Sequence, residues 1–285
     1  MLLRRALLNR RGTAAGARSG QNWGVPETTN PIDGTRIAFD DSGSPADALI
    51  LVHGSGLSKA IWRGLGYTKA LQDRYRVIGI DLRGHGRSGK PHRPDDYRMY
   101  LVEADILAVL DTLGLDAAHY LGYSFGGRVG FSLAANHPER LRSFVSLGGT
   151  FHSPRGSVAE LFFESYDEAL ESGGMPEFLS RWGVSAGAPI DPQTSFAFLA
   201  NDPIALLAYF RQLELEPGLG EELLPDLATR SLLIAGSRDR QRLLDSQQAS
   251  RLMPDAVFRE LPGRDHGSTL RPAGDVLALL DEFWG

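Results

Sequence analysis

The chain has 285 residues, 42% hydrophobic and 23% charged, with 33 glycines, 16 prolines and no cysteine. That length suits one large domain, or a domain carrying an insert, around a substantial apolar core, and the lack of cysteine excludes disulfides, thiolate metal sites and a cysteine nucleophile. The formal net charge is −5, and five arginines fall in the acid-free stretch 1–24, so the remainder carries −10; such a body repels phosphate backbones, and no nucleic-acid partner is expected.

The opening MLLRRALLNRRGTAAGARSG is broken by arginines every few residues and lacks the apolar stretch of about 7–15 residues that a secretory signal needs. Its composition fits an organellar leader over 1–24 or a disordered extension, and residues 1–30 are set outside the fold. No run of about 18 apolar residues occurs, so no membrane span is expected and the cytoplasm is the expected location. From residue 35 onward short apolar runs alternate with longer amphipathic ones, which predicts strands at 35–40, 48–53, 76–81, 118–123, 143–147, 231–236 and 257–261. Leu49-Ile50-Leu51-Val52 and Val77-Ile78-Gly79-Ile80 are continuous apolar runs, as expected of parallel strands covered on both faces. Val102, Ile106, Val109, Leu110 and Leu113 recur at helical spacing before Gly114, a C-terminal stop. Residues 242–253 and 275–284 also read as helices, punctuated by Pro254 and Pro272. An α/β core is therefore expected over 31–150 and 226–285. Between them, residues 151–225 have a helical pattern broken by glycine and proline, and hold 10 of the 25 aromatics. Those aromatics either hold a small insert together or line a pocket.

Gly122-Tyr123-Ser124-Phe125-Gly126-Gly127 fits G-x-S-x-G, with a predicted strand entering it and Phe125, Val129 and Leu133 marking a helix that leaves it. That setting lifts a serine hydroxyl above the sheet on a sharp turn, so Ser124 is the candidate nucleophile. A serine hydroxyl needs a base to take its proton. Of seven histidines, His53 and His85 lie in glycine-rich loops, His92, His119 and His137 precede the last strands, and His152 opens the insert. Only His266 lies beyond the last predicted strand, where this order of elements places a base. Asp239, at the end of the strand 231–236, is the candidate orienting acid; Asp265 adjoins the base and Asp245 lies within a predicted helix. Backbone donors for an oxyanion are expected from the amides of Phe125 and of Ser55, in His53-Gly54-Ser55-Gly56.

With these motifs in hand, the chain resembles the α/β-hydrolase family over roughly residues 33–285. The resemblance is carried by His53-Gly54-Ser55-Gly56, by Asp81-Leu82-Arg83-Gly84-His85-Gly86-Arg87-Ser88, by the turn at Ser124, and by Asp239 and His266, in the family's order. It implies an α/β-hydrolase fold, a mostly parallel sheet with helices on both faces and 151–225 as a helical lid before the acid-bearing strand. His85 is then scaffold. Relatives that open epoxides or displace halide carry aspartate at the turn, so a serine implies an acyl-enzyme on carboxylic esters of small to medium, mainly apolar acyl groups. No metal or organic cofactor is implied, and the expected partner is a small-molecule substrate, with oligomeric state left open. Tyr123, Phe151 and Trp182 are the expected substrate contacts. Three alternatives stand beside this: a carbon–carbon hydrolase of a diketone acid, suggested by Arg181-Trp182 but weakened by Gly267 after the base, a cofactor-free perhydrolase, and a non-hydrolytic ligand-binding protein on the same fold.

The insert carries twelve acids against Arg155, Arg181 and Arg211. Aromatics turned inward and acids facing water would make an apolar pocket with a negative entrance, favouring neutral acyl chains and repelling anions.

Overall fold

A computed structural model describes residues 26–152 and 155–285. Eight strands form one sheet: β1 (Glu27–Thr29), β2 (Arg36–Asp41), β3 (Ala48–Val52), β4 (Arg76–Ile80), β5 (Ala118–Tyr123), β6 (Leu141–Leu147), β7 (Ser231–Gly236) and β8 (Ala256–Leu261). Their order is β1-β2-β4-β3-β5-β6-β7-β8, with β1 and β2 antiparallel to their neighbours and β4 to β8 pairing parallel.

The continuous apolar runs become the centre of this sheet because both of its faces are covered. In β3, Ile50 and Val52 join a core on one face, and Leu49 and Leu51 a core on the other; all four are at most 1% exposed. Ten helices lie among the described residues: α1 (Ala60–Gly64), α2 (Tyr67–Leu71), α3 (Met99–Thr112), α4 (Phe125–Asn136), α5 (Ser157–Leu161), α6 (Tyr166–Ser185), α7 (Pro192–Leu199), α8 (Pro203–Leu213), α9 (Arg240–Leu252) and α10 (Ala273–Trp284). The first core takes Val102, Ile106 and Val109 of α3 with Val129 and Leu133 of α4, and the second takes Tyr67 and Leu71 of α2 with Val276 and Leu280 of α10. Each such fully buried side chain contributes about 1.5–3 kcal/mol.

The seven predicted strands are present within a residue or two. The eighth, β1, falls in the expected N-terminal extension because Glu-Thr-Thr carries no apolar pattern; it is held by backbone pairing to β2, register Glu27 to Ala38, by Thr28 Oγ1 bonding to Thr112 Oγ1 of α3 at 2.6 Å and by Arg36 donating to Glu27 at 2.8 Å. Next to it Asn30 is buried, donating to Leu101 O (3.0 Å) and Asp105 Oδ1 (2.6 Å), so the fold begins before residue 31. The leader expected over 1–24 lies outside the described residues. Helices α5 to α8 form the insert between β6 and β7, and α6 bends at Gly174, which adopts φ 63°. Among the described residues no helix is long and apolar enough to cross a membrane, and no cluster of histidine and acidic residues could hold a metal.

Below the sheet's active end lies a buried ionic layer. Arg83, 1% exposed, donates from Nε and Nη2 to Asp105 (2.6 and 2.7 Å) and from Nη1 to Asp33 (2.7 Å). Burial opposes its charge, but the Asp105 and Asp33 carboxylates outweigh that and raise its pKa. Asp105→Ala would leave this cation facing only the partly exposed Asp33, so a loss of about 3–5 kcal/mol in urea unfolding is expected. Asp33→Ala should cost less than Asp105→Ala.

Candidate active site

Strand β5 ends and helix α4 begins with no room for a side chain between them. A Cβ at Gly122 would lie 2.2 Å from Gly126 O, and one at Gly126 would lie 2.3 Å from Val52 O. The turn between them leaves Ser124 at φ 52°, ψ −114°, a conformation rare outside glycine, fastened by its amide donating to Leu147 O at 2.9 Å. Its hydroxyl is thereby presented at the carboxyl end of the parallel strands.

His266 reaches that hydroxyl from the loop after β8. Its Nε2 lies 2.9 Å from Ser124 Oγ and its Nδ1 lies 2.6 Å from Asp239 Oδ2. A Nδ1–H tautomer donating to Asp239 leaves Nε2 able to accept the serine proton. The competing acids are committed elsewhere. Asp265 accepts from the Ser268 amide (2.9 Å) and hydroxyl (2.6 Å), bonds that hold its pKa low, and Asp245 accepts from Thr150 Oγ1 (2.6 Å) and Gln241 Nε2 (2.8 Å).

The two loop histidines are internal struts. His53 spans Gly54 O (2.8 Å) and the Leu82 amide (3.1 Å), and His85 spans Arg83 O (2.9 Å) and the Gly56 amide (3.0 Å). Each ring donates from Nδ1 and accepts at Nε2, so both are neutral, and complete burial pushes the pKa of His85 down to about 3. Together they brace the loop carrying Ser55. From the insert, Tyr209 OH meets Ser55 Oγ at 2.6 Å, Asn201 Nδ2 donates to Gly56 O at 2.8 Å, and the Phe198 ring occupies the space that a Cβ on Gly56 would fill.

Ser55, Ser124 and Phe125 line one narrow cleft of about 40 Å³, closed by Val158, Leu161, Phe162, Phe210 and Leu213 of the insert. The three expected substrate contacts are placed elsewhere. Tyr123 points to the opposite face of the sheet, stacks on His266 at 5.4 Å and donates its hydroxyl to His266 O at 2.9 Å, so it supports the base's loop. Phe151 is 1% exposed and packs on Phe131, and Trp182 packs on Phe162 and Phe198 inside the insert. The expectation of inward-facing aromatics holds for Phe162 and Phe210, but Phe163, Phe178 and Phe198 pack with other aromatics of the insert, Tyr209 packs on Phe125, His85 and Tyr97 outside it, and Phe196 faces solvent. Nor is the cleft simply apolar: Arg128, Arg242 and Thr150 share its lining. Neither arginine was singled out from sequence, although Arg128 follows Ser124 by four residues, one helical turn, and that spacing is visible in the string.

Comparison with known proteins agrees with this architecture. A family model described as the alpha/beta hydrolase fold matches residues 47–185. A Caulobacter segnis protein named as a carbamate hydrolase, RutD, is 38% identical over 125 residues, which are 43% of this chain and 45% of that protein; the match thus spans less than half of this relative's length. Among solved structures, an esterase, RhEst1, from Rhodococcus sp. ECU1013 aligns over 92% of this chain and 98% of its own with TM-score 0.73 and 25% identity. A structure from a study of carboxylesterases of Nitrososphaera gargenis aligns over 91% and 97% with TM-score 0.79 and 22% identity, a likeness of fold. The motif order, the sheet order and these matches give the chain the alpha/beta hydrolase fold.

Proposed function

We propose that the protein is a serine hydrolase that cleaves carboxylic esters of small to medium acyl groups through an acyl-enzyme. The observation that carries this is the bridge of His266 between Ser124 (2.9 Å) and Asp239 (2.6 Å). In this mechanism Ser124 Oγ attacks the ester carbonyl as its proton passes to His266 Nε2, and Asp239 steadies the imidazolium that forms. The oxyanion is received by the amides of Ser55 and Phe125. The latter opens α4, so the positive end of the helix dipole adds to it. His266 then protonates the departing alcohol, water attacks the acyl-enzyme by the reverse proton path, and the acid is released. Helices α5 to α8 act as the lid, and Tyr209 ties it to the oxyanion loop through Ser55. Support from the comparisons lies in the esterase and carbamate hydrolase relatives. The carbon–carbon hydrolase alternative loses its anchor, because Arg181 bonds to Glu177 at 2.7 Å and is absent from the cleft lining.

Ser124→Ala is expected to lower kcat on a nitrophenyl ester by at least about a thousandfold with an unchanged circular dichroism spectrum. Asp239→Asn should lower kcat strongly with little change in KM, while Asp245→Asn retains most activity; the reverse pattern would overturn the choice of acid. A cleft of about 40 Å³ sets the acyl length: kcat/KM on neutral nitrophenyl esters should rise over the first few carbons and fall by about tenfold or more by decanoate, since overfilling a packed site costs about 1–3 kcal/mol. A flat series would show that the insert does not bound the acyl site.

A further inference from the structure

The cleft at Ser124 is lined by two arginines, Arg128 and Arg242, and by no acidic residue. Arg128 follows Ser124 by one turn of α4: its amide donates to Ser124 O at 3.1 Å, and both residues line the cleft. Arg128 is only 3% exposed. Its Nη2 donates to Glu216 O, while its Nε is buried with no acceptor. Among the described residues no carboxylate lies within ion-pair distance of it; the Glu216 carboxylate accepts instead from the Met99 amide and Gln212 Nε2, each at 3.1 Å. A desolvated cation without an anion is costly, and this one stands in the first turn of α4, where the helix dipole also disfavours positive charge. Burial pulls its pKa down only to about 10, so it remains charged at neutral pH.

Arg242, partly buried at the start of α9, likewise has no ion pair among the described residues. Arg181, by contrast, is paired with Glu177 and Glu168. Arg128 also borders a second cleft, of about 290 Å³, where Arg98 joins it, but Glu103 and Glu216 line that one too and offset the two arginines, whereas the cleft at Ser124 has no acidic residue in its lining. An anion is therefore best accommodated beside the nucleophile.

We infer that the cleft is built for an acyl group ending in a carboxylate, held by Arg128 with help from Arg242, so that the substrates are monoesters of short dicarboxylic acids. This rests on the ester-hydrolase reading and narrows it. It also reverses the expectation from the insert's acidic composition, because the charges that matter are the two that face the bound acyl group.

The test compares kcat/KM for monoethyl glutarate with that for its neutral ω-amide. The wild-type protein should prefer the carboxylate by about tenfold or more, as charge-assisted hydrogen bonds to arginine predict. Arg128→Met should reduce that ratio at least about tenfold, Arg242→Met by a smaller factor, and Arg128→Lys should keep part of it. Binding is read separately in the Ser124→Ala protein, whose melting temperature free glutarate should raise, an effect lost when Arg128→Met is added. Preference for the amide, a ratio unmoved by both arginine variants, or glutarate inhibition that is noncompetitive and so places the anion in the second cleft would each overturn the inference. If no ester is turned over and no serine-directed probe labels Ser124, the hydrolase reading fails. The glutarate shift in the Ser124→Ala protein then decides the anion subsite by itself.

Discussion

The close approach of β5 to the start of α4 governs the rest of the site. Backbone comes so near backbone at Gly122 and Gly126 that any side chain there would overlap a carbonyl oxygen, and the residue between them is forced to positive φ. A serine in that conformation costs of order 1–3 kcal/mol, and the surrounding packing must hold it. That packing is supplied by the Leu147 carbonyl, which takes the Ser124 amide, and by the Tyr120 hydroxyl, which donates to Gly126 O at 2.7 Å. Because the helix begins immediately after the nucleophile, one short turn sets both the position of Oγ and the direction of the Phe125 amide.

Much of this was legible in the string because it depends on local rules. Parallel strands buried on two faces must be apolar throughout, so Leu49 to Val52 and Val77 to Ile80 declare themselves, and a strand, a glycine-bracketed serine and a helix in succession leave few other structures. The order of the chain then reduces seven histidines to His266. What stayed hidden depends on tertiary partners. β1 has no pattern of its own and exists because the edge of β2 offers it hydrogen bonds. Tyr123, Phe151 and Trp182 have side chains as apt for a pocket as for a core, and only the face of the sheet or helix on which each falls separates the two roles.

The insert illustrates the same limit in a functional setting. Its aromatics must bury one another, because a few short helices joined through Gly174 and Pro203 have little other apolar surface to share, and Phe163, Phe178 and Phe198 are used up in that way. Only the edge of this aromatic core, Phe162 and Phe210, reaches the cleft. The insert then acts on the site through a few polar and steric contacts with the loop at Ser55: the Tyr209 hydroxyl, the Asn201 amide and the Phe198 ring over Gly56. These contacts couple the position of the insert to the placement of one oxyanion donor.

Burial treats the charged groups around the site in two ways. Arg83 and Asp105, Lys59 and Asp81 are taken out of water in pairs, each partner within 2.7 Å of the other, and they anchor the loops that follow β3 and β4. His53 and His85 are buried singly and respond by staying neutral, which leaves each ring one donor and one acceptor to bridge two backbone groups. Arg128 can follow neither course. A guanidinium does not lose its proton at neutral pH, and the Glu216 carboxylate, which supports its charge from beyond ion-pair distance, is bonded to the Met99 amide and Gln212 Nε2. In a protein that pairs or neutralises its other deeply buried charges near the site, a single cation held beside the nucleophile marks the position that a bound anion completes.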